Sequence, residues 1–371
     1  GKIFKRNTFA SGVIPQITCI MGPCAGGAVY SPALTDYIFM VENQSNMFLT
    51  GPKVIKEVTG EEVSVEELGG AKTHAQVTGT ADRFVEDDRQ CLDEVKLLLR
   101  YLPDSSEEFP PFEKVEDPVD RQTSEIEDIV PSDPRMAFDM REVIKPVLDG
   151  RQFMEFKPGF ASNCVIGFGR LGGYPVGIVG NQPKTLAGCL DIDSADKIAR
   201  FVRHCDSFNI PIINFVDVPG FLPGVGQEHN GVIRHGAKML FAYSEASVPK
   251  ISLIVRKSYG GAFVAMCSRD MGYDSVIAYP TAEIAVMGAQ GAVNIIHSRE
   301  IENADDPEAK RQEKIDEFKE KFAKPYNAAR AGLLDSIIEP SETRRYLVET
   351  LEMTISKRQQ RPPKKHGNIP L

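Results

Sequence analysis

The feature of this 371-residue chain that most constrains its fold is a glycine-rich turn that occurs twice. One copy is Cys24-Ala25-Gly26-Gly27-Ala28, and the other, 234 residues further along, is Ser258-Tyr259-Gly260-Gly261-Ala262. Each copy follows an apolar run typical of a strand and precedes small residues that are compatible with a helix. Each therefore predicts a strand-to-helix turn, and we expect the chain to have an α/β fold.

The likeness between the two copies extends beyond the turns. When residues 14–36 are shifted by 234 positions, seven of 23 residues are identical without a gap. The identical residues are Pro15, Ile17, Ile20, Gly26, Gly27, Ala28 and Asp36, the last of which matches Asp270. Three residues out of step, residues 47–52 then resemble residues 284–289. We interpret this pattern as one supersecondary unit used twice.

A pair of glycines at the start of a helix suits one kind of chemistry. Glycine lets the backbone come close to a ligand, and the first amides of a helix have no partner within it. Such amides can stabilise developing negative charge, as in an oxyanion hole. The candidate catalytic residues are therefore Gly26, Gly27, Ala28, Gly260, Gly261 and Ala262. The alternative is that both turns serve only the tight packing of the fold.

Composition and charge exclude several classes of protein. Hydrophobic residues make up 42% of the chain and charged residues 26%, as in ordinary globular proteins. The net charge of −9 argues against nucleic acid as the main partner. Seven cysteines without a C-x-x-C pair favour reduced thiols and predict no structural metal. No apolar run is long enough to cross a bilayer, and no signal-peptide core is present, so we predict an intracellular protein, cytoplasmic or in a eukaryote's mitochondrial matrix.

An acidic, proline-rich stretch at residues 104–134 divides the chain. It holds eleven Asp and Glu residues against one Lys and one Arg, together with five prolines. Because such a segment buries little apolar surface, it is predicted to be a linker on the surface between domains at residues 1–103 and 135–371. The second turn follows more than a hundred residues of its own domain, whereas the first follows few. We therefore expect the first domain to be truncated, with on the order of a hundred residues missing before it.

Local patterns predict most of the elements. Ser64 and Glu67 form a capping box for a short helix at 61–70, and two apolar runs at 164–181 predict a β-hairpin. Further helices are predicted at residues 87–101, 135–148, 191–209 and 304–324, the last with i,i+4 ion pairs.

The sequence also predicts a functional loop and an exposed tail. A buried strand at 210–217 leads into a loop rich in Gly and Pro at 217–228. Such a loop is where α/β proteins place ligands, and it could supply a further amide to the second turn. The basic tail at 357–366 is predicted to be a solvated terminus.

Familiar catalytic motifs are absent from the sequence. The six histidines lack metal-binding spacing, and there is no nucleophile elbow or phosphate loop. Cys24 is interpreted as a packing residue, since its counterpart Ser258 has a different chemistry. Glu228 and His229 could act as acid and base in the glycine-rich loop. Two oxyanion sites without an evident protein base favour a reaction in which two carbonyl compounds each pass through an enolate-like anion, one serving as base for the other.

Several motifs together resemble one known family. They are GPCAGGAVYSPA at 22–33, FVDVPGFLPG at 215–224, AEIAVMGA at 282–289 and HGNIPL at 366–371. The chain resembles the carboxyltransferase (beta) subunit of biotin-dependent acyl-CoA carboxylases over essentially its whole length. The resemblance implies two tandem crotonase-like (ClpP/crotonase) β-β-α superhelix domains, the first one truncated, in a dimer-based homo-oligomer, a hexamer. It also implies acyl-CoA as substrate, and biotin carried on a partner, the biotin carboxyl carrier or biotin carboxylase (alpha) subunit.

The resemblance also implies roles for the two turns. The amides around Gly26, Gly27 and Ala28 would hold the acyl-CoA oxyanion, and those of Gly260, Gly261 and Ala262 would hold the biotin ureido oxygen. In the family, carboxybiotin gives up CO2, the ureido anion takes the α-proton of the acyl-CoA, and the enolate attacks CO2, which accounts for the missing protein base. The residues expected to bind substrate beside the turns are Cys24, Ala25, Tyr30, Phe221, Phe263 and Val264.

One position departs from the propionyl-CoA carboxylase pattern, which has Asp where this chain has Val264. The departure leaves propionyl-CoA, acetyl-CoA and methylmalonyl-CoA open as substrates. A decarboxylase subunit of a sodium pump, such as methylmalonyl-CoA decarboxylase alpha, would use the same two sites in reverse. A hydratase or isomerase with one crotonase unit would need carboxylates beside its oxyanion hole. The last alternative is a non-catalytic fragment that keeps the fold.

Overall fold

The computed structural model describes residues 1–359 and 361–370, and its first part is built on parallel strand pairs. The strands are β1 (Ile17–Ile20), β2 (Pro23–Ala25), β3 (Tyr37–Val41), β4 (Asn46–Phe48) and β5 (Arg83–Val85). The helices are α1 (Lys2–Ala10), α2 (Tyr30–Ala33), α3 (Pro52–Thr59), α4 (Val65–Gly69), α5 (Ala71–Gln76) and α6 (Asp88–Leu99). β1, β3 and β5 form one parallel sheet in that order, and β2 pairs with β4.

The second part carries a larger sheet. Its strands are β6 (Phe153–Phe156), β7 (Cys164–Leu171), β8 (Tyr174–Asn181), β9 (Ile212–Val218), β10 (Lys250–Tyr259), β11 (Ser275–Ala278), β12 (Glu283–Ala285) and β13 (Ser336–Ile337). The sheet order is β13-β11-β10-β9-β8-β7-β6, and β12 pairs with the end of β10. The predicted hairpin is confirmed as β7 and β8, and the strands from β8 to β13 are parallel. The chain therefore has the mixed α/β fold that the sequence predicted.

The second part also contains the following helices. They are α7 (Glu125–Ile129), α8 (Met140–Val147), α9 (Ile192–Ser207), α10 (Val225–His229), α11 (Val232–Glu245), α12 (Gly260–Cys267), α13 (Ala289–Ile296), α14 (Ser298–Glu302), α15 (Pro307–Phe318), α16 (Pro325–Arg330) and α17 (Thr343–Thr354). No helix in the described ranges 1–359 and 361–370 combines the length and apolar character needed to cross a membrane.

Strand pairing repeats between the two parts. Ile17 of β1 lies opposite Tyr37 of β3, and Ile251 of β10 lies opposite Ser275 of β11. Further along, β2 pairs with β4 just as the end of β10 pairs with β12. The second pairing places residues 47–52 and 284–289 in corresponding positions, as the out-of-step sequence match predicted.

One match within the repeat was wrong. The sequence match paired Asp36 with Asp270, but in the structure the residue that corresponds to Asp36 is Asp274. Asp36 accepts a hydrogen bond from the Gln16 amide at the start of β1, and Asp274 accepts one from the Lys250 amide at the start of β10, both at 2.8 Å. The chain between each amide and its aspartate is four residues longer in the second copy, which an alignment without gaps cannot represent.

The core joins the two parts. β3 is buried along its whole length, as are β9 and β10, which is typical of parallel strands covered on both faces. The Tyr37 ring of β3 packs on Phe156 of β6 with centroids 4.9 Å apart, and Phe156 packs on Phe168 of β7 at 5.4 Å. The first strands therefore rest directly on the hairpin strands of the second part.

Several predicted helices are confirmed with shifted ends. The capping box at Ser64 and Glu67 is present at the start of α4. The helix predicted at 135–148 begins only at Met140, because Asp139 caps it by accepting a hydrogen bond from the Arg141 amide. The helix predicted at 304–324 is α15 followed by a π-helical turn, Lys319–Ala323.

The ion pairs of that charged helix also differ from the prediction. Three of them, Lys310–Glu313, Arg311–Glu308 and Lys314–Glu317, join residues three apart. Within the described part of this segment, i,i+4 spacing is found in Lys324–Glu320. Both spacings place side chains on one helix face, so the solvated face is retained while the predicted spacing was mostly wrong.

The acidic stretch at 104–134 does not merely run over the surface. It contains α7, and Ile126 is fully buried in the core under α8. The buried Arg344 guanidinium donates to the carbonyls of Asp117 and Pro118 and pairs with Asp149 at 2.7 Å. Composition alone could not reveal the contacts of Arg344, because this arginine lies more than 200 residues further along the chain than Asp117 and Pro118.

The basic tail is mostly exposed, as expected for a solvated terminus, but ion pairs also tether it to the second part of the chain. Lys357 pairs with Asp274 at 2.8 Å, Arg361 pairs with Asp206 at 2.7 Å, and Lys364 pairs with Glu245. Gln360 of this segment and Leu371 of the C-terminal motif lie outside the described residues.

Candidate active site

The first glycine turn lies where β2 ends. Gly26 opens a 3-10 turn, Gly26–Val29, with φ of 69°, a left-handed conformation that favours glycine. A side chain added at Gly27 would meet no atom of the described residues within 4 Å beyond its chain neighbours. The turn therefore has one open face, and the amides at its start have no partner within the turn itself.

The second turn repeats this geometry at the end of β10. Gly260 opens α12 with φ of 56°, and a side chain at Gly261 would again meet open space. A Cβ at Gly260 would lie 2.9 Å from the carbonyl oxygen of Val286, so the chain just after β12 passes close to the turn. Both motifs are thus strand-to-helix junctions, as the sequence predicted, and in each the first glycine is left-handed and the second faces open space.

The residues beside the first turn differ in exposure. Tyr30 is about half exposed, and Ala25 and Ala28 are exposed. Cys24 is half-buried and packs against a small core that includes Met40 and Met47. Burial raises the pKa of the Cys24 thiol, so a thiolate is disfavoured and the interpretation of Cys24 as a packing residue is supported.

Beside the second turn, the candidate residues point in different directions. Val264 on α12 is exposed, whereas Phe263 packs partly against the core and Ala262 is buried. Phe221 packs its ring near Gly236 of α11, where an added Cβ would lie 3.1 Å from the ring. The ring is therefore turned inward, and a substrate-binding role for Phe221 stays a prediction.

The glycine-rich loop is shorter than predicted. It ends at Gly224, because α10 begins at Val225. Leu190 holds the loop by donating its amide to the Gly220 carbonyl and accepting from the Leu222 amide. Glu228 and His229 are exposed on α10.

A buried ion pair beside the second turn was missed by the sequence analysis. Asp217 at the end of β9 is fully buried and accepts from the Arg256 guanidinium at 2.8 Å and from the Lys257 amide at 3.1 Å. Arg256 also donates to the Met136 carbonyl at 2.7 Å. The pair fixes the ends of β9 and β10 just before Gly260. An Arg-Lys pair inside an otherwise apolar strand was the signal that could have revealed it.

The structure groups the candidates by turn. Gly26, Gly27 and Ala28 follow β2, which contains Cys24 and pairs with β4, whereas Gly260, Gly261 and Ala262 follow β10, which pairs with β12. The catalytic and binding roles of these residues stay predictions. What the geometry provides is two separate sites at which backbone amides could face a negative charge.

Comparison with known proteins defines the class. A crystal structure of transcarboxylase 12S, described as a hexamer assembly with methylmalonyl-coenzyme A and methylmalonic acid bound, superposes with a TM-score of 0.96 at 53% identity. The match covers 100% of this chain and 71% of that one. The fold is therefore that of a crotonase-like carboxyltransferase. The chain belongs to the carboxyl transferase domain family, whose model matches residues 1–369, and this confirms the resemblance predicted from the sequence.

Two relatives illustrate the range of the family. The carboxyltransferase subunit of propionyl-CoA carboxylase from Haloferax mediterranei is 58% identical over all 371 residues. The methylmalonyl-CoA decarboxylase subunit alpha from Propionigenium modestum is 54% identical over the same length. The chain spans 72% of each of these relatives.

Proposed function

We propose that this chain transfers a carboxyl group from biotin, held on a partner domain, to the α-carbon of a short acyl-CoA such as propionyl-CoA or acetyl-CoA. The observation that carries the proposal is the pair of open glycine turns, in a chain 58% identical to a propionyl-CoA carboxylase carboxyltransferase subunit. A reaction between two anion-forming compounds needs two such sites, and a one-site hydratase does not.

The first turn would act on the acyl-CoA. Amides around Gly27 and Ala28 would stabilise negative charge on the thioester oxygen as the α-proton leaves. Each donor of this kind contributes about 3 kcal/mol to the stability of a transition state. Cys24 beside them is a poor proton acceptor, because its raised pKa keeps the thiol protonated. The chain would therefore contribute backbone donors at this site and no thiolate.

The second turn would hold biotin. Bound there, biotin supplies the transferable carboxyl group. The residues fit a flat ring, since Gly261 leaves an open face and the amides of Gly261 and Ala262 start a helix whose dipole favours negative charge. These amides would orient the ureido oxygen, and exposed Val264 would border the site.

We also propose the domain organisation predicted above, with residues 1–103 as the last part of an N-terminal domain on the acyl-CoA side. The greater length of the relatives supports it, as does the position of β1 at the edge of its sheet, where its counterpart β10 has β9 as a neighbour. Residues 104–134 would be the linker and 135–371 the second crotonase-like domain, on the biotin side.

The proposed assembly is supported by the same comparison. The hexamer described for transcarboxylase 12S supports a homo-oligomer built from dimers, with a biotin carrier as a further partner. Cytoplasm or mitochondrial matrix stays the predicted location, and one relative is the mitochondrial beta chain from Homo sapiens.

A decarboxylase subunit is the second candidate. The relatives from Propionigenium modestum and Veillonella parvula carry that name at 54% identity. It has less support, because the other relatives named here are carboxylase or carboxyltransferase subunits. A fragment that keeps the fold without catalysis is the remaining alternative.

The test is carboxyl exchange with free biotin. The natural chain that carries these 371 residues is incubated with free biotin and malonyl-CoA or methylmalonyl-CoA, and formation of acetyl-CoA or propionyl-CoA is followed by mass spectrometry. We expect biotin-dependent loss of the carboxyl group from one or both thioesters. The Gly26→Val and Gly260→Val variants serve as controls, because valine is strained at their positive φ. Absence of exchange with every thioester would contradict the proposal.

A further inference from the structure

Each strand pair beside a glycine turn contains one aromatic residue, but it lies on the second strand in the first pair and on the first strand in the second pair. In the first, Ala25 of β2 lies opposite Phe48 of β4. In the second, Tyr259 of β10 lies opposite Ala285 of β12. The same cross-strand pair of alanine and aromatic residue therefore occurs twice, with the two residues on opposite strands.

Both rings fill the same place. Phe48 lies against Gly51, where an added Cβ would be 3.3 Å from the ring, and Tyr259 lies against Gly288, where it would be 3.2 Å away. Gly51 caps the start of α3, and Gly288 caps the start of α13. Each ring thus packs against the beginning of the helix that follows the second strand of its pair, α3 after β4 and α13 after β12.

Because the aromatic residue lies on a different strand in each pair, its position relative to the glycine turn also differs. Phe48 belongs to the strand beside the first turn, whereas Tyr259 directly precedes Gly260 of the second turn. Any contact that immobilises the Tyr259 side chain therefore constrains the backbone of the second turn at its first residue.

Such a contact is present at the hydroxyl. The Tyr259 hydroxyl donates to Glu283 Oε2 at 2.5 Å, and Glu283 Oε1 pairs with Lys319 Nζ at 2.9 Å. The Tyr259 side chain is nearly buried, and its pKa is raised by burial and by Glu283, so the hydroxyl stays a proton donor. In the first copy the corresponding residues are Ala25 and Asn46, which offer neither a hydroxyl nor a charge.

Lys319 brings a distant segment into this network. The chain leaves β12 after Ala285, forms α13, α14 and α15, and returns at Lys319 to bond the first residue of β12. The Glu283–Lys319 pair therefore closes the base of the excursion formed by residues 286–318. Val286, whose carbonyl lies beside Gly260, is the first residue of this excursion.

We propose that Tyr259 and Glu283 are positioning residues that set the donor geometry of the second turn, and that this network makes the biotin half of the reaction separable from the acyl-CoA half. The inference rests on the function proposed above. It assigns a role to side chains that need not touch either substrate.

The experiment compares Tyr259→Phe with Tyr279→Phe. Tyr279 is buried and loses one hydrogen bond, to Thr343 at 2.8 Å, in the same kind of substitution away from the turn. With methylmalonyl-CoA or malonyl-CoA and free biotin, we expect Tyr259→Phe to lower kcat about tenfold or more while Tyr279→Phe stays within about twofold. Binding of a non-reactive acyl-CoA analogue, measured by calorimetry, should be unchanged in both variants.

Glu283 supplies the second test. Glu283→Gln keeps an acceptor for the Tyr259 hydroxyl and should retain more activity than Glu283→Ala. The double variant Tyr259→Phe/Glu283→Ala should lose no more activity than the worse single variant, because both changes break one network. If these residues were merely structural, the variants would lower the stability of the protein, and kcat would show neither the difference between Gln and Ala nor the non-additivity of the double variant.

Two results separate the possible failures. Exchange by the wild-type chain together with normal kcat in Tyr259→Phe and Glu283→Ala would overturn the positioning role and leave the proposed function intact. A wild-type chain that exchanges with no thioester would overturn both. If Tyr259→Phe does not fold, a normal kcat in Lys319→Met would still contradict the network.

Discussion

Asp274 holds the start of β10 in the way that Asp36 holds the start of β1. Asp274 accepts a hydrogen bond from the amide of Lys250, the first residue of β10, and Asp36 accepts one from the amide of Gln16, which directly precedes β1, both at 2.8 Å. Each aspartate also donates its own amide back to the carbonyl of that residue, at 2.8 and 2.9 Å. The paired bonds set the register of the two parallel strands. The two parts of the chain therefore share these hydrogen bonds as well as the glycine turns.

The same arrangement occurs on the next strand of each sheet. Asp82 accepts from the Ile38 amide, and Asp335 accepts from the Val276 amide, both at 2.8 Å. Each again returns a bond through its own amide. The spacing along the chain differs between the copies, but the contact is the same.

The corrected match predicts which aspartate matters for stability. Asp274→Ala should lower the free energy of unfolding by about 1–3 kcal/mol, because a buried strand amide loses its partner. Asp270→Ala, at an exposed position, should change it by less than about 0.5 kcal/mol. Chemical denaturation measures both, and Asp36→Ala should behave like Asp274→Ala. Equal effects for Asp270 and Asp274 would show that the register assigned here is wrong.

Local features of the fold could be predicted from the sequence. The turns were predictable because a left-handed first residue requires glycine, and the α4 capping box because its partners are three residues apart. The position of Asp274 was not, since a four-residue insertion leaves no local signal. The burial of Ile126 in the core and the bond from the distant Arg344 to the Pro118 carbonyl are contacts that no local pattern reveals.

The candidate site likewise contains residues that could be predicted from the sequence and residues that could not. Gly260 and Gly261 could be found from a repeat, whereas Tyr259 and Glu283 could not. Their relation depends on which strand pairs with which, and on an aromatic residue that changes strands between the copies. Strand pairing is set by contacts between residues far apart in sequence, so only the folded structure contains it.

The Gly261→Val variant should separate the two halves of the reaction. Gly261 does not have a positive φ, and a side chain there meets open space, so the fold should tolerate valine. The new side chain would occupy the face assigned to biotin and keep the ureido oxygen away from the backbone amides, and losing the use of one such donor corresponds to about a hundredfold in rate. We expect exchange with free biotin to fall by about that factor while acyl-CoA binding is retained.

Gly27→Val is the matched control for that prediction. It also adds a side chain to an open turn face, but at the site assigned to acyl-CoA. It should weaken acyl-CoA binding. Unchanged exchange in Gly261→Val would remove the biotin assignment from the second turn.

Lys250 should make stability depend on pH. Its side chain is buried, and burial, with repulsion from Lys357, lowers its pKa to about 8. Between pH 8 and about 10.5 the unfolded chain keeps a proton that the folded chain has lost. The contribution of Lys250 to the free energy of unfolding should therefore rise with pH across this window, by up to about 3 kcal/mol.

Denaturation at pH 7.5 and 9.5 tests this contribution in wild type and in Lys250→Met. The rise should be smaller in the variant, which carries no titrating group at this position. Lys145→Met, at an exposed site, is the control and should behave like wild type. A variant with the full wild-type rise would show that Lys250 is not its source.

The last prediction concerns how the two sites meet. Each chain carries one turn on the β2–β4 pair and the other on the β10–β12 pair. In a two-fold dimer, the first turn of one protomer can face the second turn of its partner, because such an interface is self-complementary.

Mixing Gly27→Val chains with Gly261→Val chains should then restore activity, because one of the two sites in each mixed dimer is intact. Random mixing gives about a quarter of the wild-type sites. Exchange with free biotin measures the recovery, and native mass spectrometry verifies that mixed dimers have formed. Mixed dimers as inactive as both parents would mean that each site is built within a single chain.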